Sequence, residues 1–78
     1  MTVILHLDGS REQVKGPLSL YDMQKMVGGL IELVYLPNEN FIVVNKDAPS
    51  MGLPTNMAAS NIASRVLVGT AILTDELK

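Results

Sequence analysis

At 78 residues the chain has room for a single domain, residues 1–78, because one hydrophobic core already needs most of that length. Apolar residues make up 47% and charged residues 18%, which sets the chain apart from disordered sequences, and the lack of cysteine excludes disulfides, thiolate metal sites and a cysteine nucleophile. The net charge is −2 with the basic residues scattered, so the counterion-releasing surface of a DNA or RNA polymer binder is not expected.

From the N-terminus, Val3-Ile4-Leu5-His6-Leu7 is β-branched and apolar and reads as a strand. It is too short for a secretory h-region, and no signal peptide is expected. Asp8-Gly9-Ser10 signals a turn, Arg11–Lys15 a short return strand, and Gly16-Pro17 a break. Ser19 is placed to cap a first helix, with Asp22 three residues on. Leu20, Met23, Met26 and Val27 fall on one helical face, and Gly28-Gly29 ends the helix through a left-handed glycine.

Leu30–Leu36 is the strongest strand signal. Pro37–Asn40 follows as a turn and Phe41–Asn45 as the return strand, together forming a hairpin. Residues 46–54 read as a loop. Thr55 or Asn56 caps a second helix that runs to about Ser64. Val66–Leu73 reads as the last strand, with Gly69 marking a bulge or a close approach, and residues 74–78 as a polar tail.

The order is β(β)αββαβ. It predicts an α+β fold: a small, mostly antiparallel sheet of four to five strands with two short helices on one face. The longest uncharged apolar run, about eight residues, falls far short of the roughly 18 needed to cross a bilayer, so no membrane association is expected. A chain this small gains little net stability from its own core. Its low charge and five methionines point to a homo-oligomer.

Few residues carry obvious chemistry. His6 and Asp8, two apart on one strand, have a metal-compatible spacing, but a zinc site needs a third ligand; they read as a strand-edge histidine beside a turn aspartate, and no metal site is expected. Glu32 interrupts an apolar strand and is either a solvent-facing or paired carboxylate, or a polar group in a pocket or at a subunit seam. The segment Asn45–Asn56 is polar, follows an ordered strand and contains Met51 and Gly52; such loops concentrate function. At its end, Thr55 and Asn56 open a helix, where exposed N–H groups favour anions, and Arg65 beyond that helix can pair a phosphate. Plain capping and a surface arginine are the competing reading. Tyr35, beside the hairpin turn, is either a core residue or a ring for stacking on a base or filling an interface. With no Walker or dinucleotide loop, no serine–histidine pair and no positioned pair of carboxylates, an enzyme is not expected, nor is a cofactor.

Three blocks resemble a known pattern. Met26–Leu36 (MVGGLIELVYL) is similar to the VGGxIExVYL block of a small domain family of phages and mobile elements. Asn45 with Gly52–Ala58 (GLPTNMA) is similar to that family's N…GLPxNxxA segment, and Val68–Leu73 (VGTAIL) to its closing GTxxL strand. The loop before Gly52 departs from the family's acidic-glycine turn by carrying Ala48-Pro49. The resemblance implies a phage anti-defence protein of the host-cell cytoplasm, similar to sponges that sequester the cyclic dinucleotide signals of CBASS immunity without cleaving them. In that reading Thr55, Asn56 and Arg65 hold the phosphates, Tyr35, Met51 and Met57 cover the bases, Asn45, Asn56 and Asn61 read base edges, and Gly52 admits close backbone approach. A protein–protein inhibitor of a host restriction or defence enzyme is the alternative, and a structural domain without a ligand a third possibility.

Overall fold

Alternating strand signals and two capped helices assemble, in a computed structural model that describes residues 1–76, into a five-stranded sheet. The strands are β1 (Thr2–Leu5), β2 (Arg11–Val14), β3 (Ile31–Tyr35), β4 (Phe41–Asn45) and β5 (Ala71–Thr74); the helices are α1 (Leu20–Val27) and α2 (Met57–Ala63). The spatial order is β2-β1-β5-β4-β3, and every neighbouring pair is antiparallel. The last strand therefore enters at the centre and joins two hairpins made much earlier in the chain.

Local chemistry sets the helix ends. The Ser19 hydroxyl accepts the Asp22 N–H at 3.1 Å, and Gly28 ends α1 in the left-handed region at φ 86°, where a side chain would be strained. Asn56 caps α2, which Ser64 terminates.

The two helices lie on opposite faces of the sheet, not on one face as the element order suggested. Successive strand residues point to opposite sides. Ile42 and Val44 of β4 pack with Leu5, Val34 and Ala71 beneath Ala59 of α2. Val43, between them, packs with Ile72 beneath Met23 and Val27 of α1. This arrangement explains why β4 and β5 read as apolar on both faces: a central strand covered on both sides needs no polar alternation. Leu20, at the start of α1, is exposed, while Leu18 before the helix packs into the core.

Three boundaries differ from expectation. Strand β1 stops at Leu5 because the Asp8 carboxylate accepts both the Ser10 N–H (2.8 Å) and the Ser10 hydroxyl (2.6 Å), which draws residues 6–10 into a turn. Of the predicted last strand only Ala71–Leu73 joins the sheet, and Thr74 extends it to complete β5. Before it, the chain bends at Gly69 (φ 81°), and Val68 forms an isolated bridge with Thr55. The expected tail at 74–78 starts too early: the buried Thr74 belongs to β5 and its hydroxyl meets that of Thr2 at 2.9 Å. Asp75 accepts from the Met1 amine at 2.7 Å, and Leu77 and Lys78 lie outside the described residues.

Candidate functional site

The segment from Asn45 to Arg65 begins on one sheet face and ends on the other. Asn45 closes β4 with its side chain buried on the α1 side. Its Nδ2 donates to the Val27 carbonyl at 3.1 Å and lies 3.5 Å from the Met51 sulfur, while its Oδ1 accepts the Asp47 N–H at 2.8 Å. Asn45 thus ties the end of α1 to the loop. A Cβ at Gly29 would sit 3.1 Å from that Nδ2, so the Gly28-Gly29 pair leaves room for the tie. The loop then forms one 3₁₀ turn, Ala48–Met51, closed by Gly52 at φ 69°. Gly52 is favoured there by its left-handed backbone, and a Cβ at this position would meet nothing within 4 Å.

Asn56 is completely buried, at 0% exposure. Its Nδ2 donates to the Leu5 carbonyl at 2.8 Å and to the Gly69 carbonyl at 2.9 Å. Its Oδ1 accepts the Ala59 N–H at 3.0 Å. One side chain therefore caps α2, fastens that helix to the end of β1, and secures the bend at Gly69. An amide offers two donors and one carbonyl oxygen, and both donors are spent within the chain. Ser60 adds a second fastening: its hydroxyl accepts from Leu67 N–H at 2.8 Å and donates to Leu67 O at 3.1 Å.

The remaining expected site residues are exposed and dispersed. Thr55 bridges Val68 at the start of α2. Asn61 stands on α2, and Arg65 lies beyond its end. Seven helical residues span about 10 Å, so Arg65 stands roughly a helix length from the capped N-terminus and the two do not form one anion site. Met51 and Met57 are exposed. Tyr35, at 76% exposure, is a surface ring and not a core residue. It lies 6.3 Å from Phe41, centroid to centroid, and Phe41 packs into the core on the α1 side. Ile31 pairs with Asn45 and Tyr35 with Phe41, so the length of β3, about 13 Å, separates Tyr35 from the Asn45 loop.

The other sequence candidates have local explanations. His6 Nε2 lies 3.0 Å from the Glu12 carboxylate across the first hairpin, while Asp8 is engaged with Ser10. The two do not converge, and no cluster of three metal-ligating side chains occurs among the described residues. Hydrogen bonds from the Ser10 hydroxyl and then its N–H hold the Asp8 carboxyl below the usual range. Glu32 is exposed at the sheet edge on the α2 side. Exposed apolar residues form the less expected feature: Leu30, Val66 and Tyr21 are exposed, as are Tyr35, Met51 and Met57. No periodicity marks them, because each occupies a position that a core residue of the same type would also suit.

Among the described residues every buried side-chain nitrogen and oxygen has a partner, no pocket is present, and no helix is long and apolar enough to cross a membrane. Fold and surface together define a small α+β domain with one sheet, a helix on each face, and uncharged side chains left outside. The chain belongs to the DUF3846 family, described as a domain of unknown function, whose match spans residues 1–77. No curated protein and no solved structure matches it.

Proposed function

We propose that this protein is a phage anti-defence binding protein. It sequesters a cyclic (di)nucleotide immune signal in the host-cell cytoplasm, without cleaving it, and acts as a homo-oligomer whose subunit seams supply the pocket. The observation that carries the reading is the division of the molecule's polar and apolar groups. Its buried amides and hydroxyls are spent on the fold, while large uncharged side chains, Tyr35, Met51, Met57 and Val66, remain in solvent. Brought together at a subunit seam, such side chains would make the contiguous apolar patch that marks an interaction surface. The resemblance of the three sequence blocks to the phage family supplies the ligand class.

A cyclic dinucleotide has two base faces and two phosphates. Tyr35 and the two methionines suit the bases. Arg65 suits a phosphate, since no described carboxylate pairs with it and its guanidinium is free for a bidentate contact. Asn61 is the amide still open to a base edge, whereas Asn45 and Asn56 act through the scaffold.

Isothermal calorimetry with cyclic dinucleotides and cyclic ADP-ribose variants tests the proposal. Nanomolar-range binding, recovery of intact ligand, and loss of binding in Arg65→Ala with the fold retained are the expected results. Absence of heat with every nucleotide, together with capture of a host nuclease, would replace the sponge by the inhibitor. That second reading draws on the same exposed side chains, which suit a flat protein partner as well. Cleaved ligand would overturn both.

A further inference from the structure

The two edges of the sheet are chemically unlike. The outer strand β2 carries Arg11, Glu12 and Gln13, all exposed, and charges on an edge discourage further pairing. The other outer strand, β3, reads Ile31-Glu32-Leu33-Val34-Tyr35. Its hydrogen-bonding parity is set at both ends, where Leu36 N–H donates to Asn40 O at 2.9 Å and Lys46 N–H donates to Leu30 O at 2.8 Å. In an antiparallel ladder the bonded pairs alternate, so Glu32 and Val34 bond inward to β4. Ile31, Leu33 and Tyr35 turn their N–H and C=O groups outward, and no described residue bonds to them.

We infer that this edge pairs with β3 of a second copy of the chain, antiparallel, about a two-fold axis through Leu33. In this register Leu33 faces its own equivalent and Ile31 faces Tyr35, so every outward N–H and C=O of the three residues finds a partner. Each Glu32 falls opposite Val34, and the two glutamates are diagonal neighbours about 7–8 Å apart. Shifting the axis one residue toward the N-terminus would set Glu32 directly against its equivalent. Shifting it the other way would leave Ile31 unpaired. The strand is thus self-complementary in one register, the condition for an isologous two-fold interface. The pairing also covers Tyr35, which sits beside Ile31 of the second copy as an aromatic–aliphatic cross-strand pair. The inference does not rest on nucleotide binding and is tested without a ligand.

Light scattering on the full chain at tens of micromolar reads the mass, expected near twice the 8.4 kDa of one chain. Opposed bonded residues place their Cα atoms about 5.5 Å apart, inside the range a disulfide accepts. Leu33→Cys, in a chain without other cysteines, is therefore expected to lock into a covalent dimer under mild oxidation, while Glu12→Cys on the opposite edge does not. Tyr35→Lys, at an exposed position, is expected to lower the dimer association constant at least about tenfold, as edge lysines do, with an unchanged far-UV circular dichroism spectrum. A monomeric wild type overturns the inference. So does a dimer that neither weakens in Tyr35→Lys nor locks in Leu33→Cys, and so does a monomer that takes up an extended peptide along β3.

Discussion

Replacing Asn56 by alanine removes one side chain and three hydrogen bonds at once. The cap on the Ala59 N–H is worth about 1 kcal/mol. The carbonyls of Leu5 and Gly69 lose donors at 2.8 and 2.9 Å in a site with no exposure, and an unsatisfied buried acceptor costs about 1–3 kcal/mol. With two such acceptors, the total loss is about 3–7 kcal/mol. Set against roughly 0.05–0.15 kcal/mol per residue, about 4–12 kcal/mol for a chain of this length, the variant keeps little stability. Urea unfolding followed by circular dichroism reads the loss. At a slope near 1 kcal/mol per molar for so small a domain, the midpoint falls by about 3 M or more. Asn56→Asp sharpens the test, because it keeps the acceptor for Ala59 but turns a carboxylate oxygen toward two carbonyls. It is expected to be at least as destabilised at neutral pH and to recover partly in acid, where a protonated carboxyl can donate again. A midpoint loss equivalent to less than about 1 kcal/mol in Asn56→Ala would refute the fastening role. A fully stable variant that loses only nucleotide affinity would restore Asn56 to the binding site.

Two further outcomes follow from local geometry. Gly69→Ala adds a Cβ 3.0 Å from Leu53 Cδ1 at φ 81°; the left-handed backbone alone costs about 1–2 kcal/mol, so thermal unfolding should shift down by several degrees, and an unchanged Tm would reject the strain. The Asp8 carboxyl is held below its unfolded value by Ser10, so its stabilising effect is present above the ordinary carboxylate range and is lost as pH falls through the folded value. Carboxyl NMR titration should show that depression disappear in Ser10→Ala, and an identical titration in both proteins would exclude the turn bonds as its cause.

Much of the scaffold was readable from neighbouring residues. Ser19, Gly28 and Asn56 mark helix ends because capping is decided by backbone groups within three or four positions. The hairpin of β3 and β4 follows from two β-rich runs across a four-residue turn. The element order does not fix which side each helix takes, although a trace is present in the sequence: Phe41–Val44 and Ala71–Leu73 lack polar alternation, as strands covered on both faces do. Tyr35 shows the opposite limit. A tyrosine ending an apolar strand looks the same whether the neighbouring surface is covered or bare. The candidate site was legible as a segment but not as an arrangement, since Asn45, Asn56 and Arg65 fit a binding loop equally well before their partners are known.

The order of strands and helices, their caps and turns, and the scarcity of charge were settled by the chain's own residues, because those features depend on contacts a few positions apart. The insertion of Ala71–Thr74 between β1 and β4 was decided by packing between distant segments. So were the burial of Asn56 against Leu5, 51 positions away, and the open edge of β3. Such contacts depend on the simultaneous placement of several elements, and no short stretch of sequence contains enough of them to specify the result.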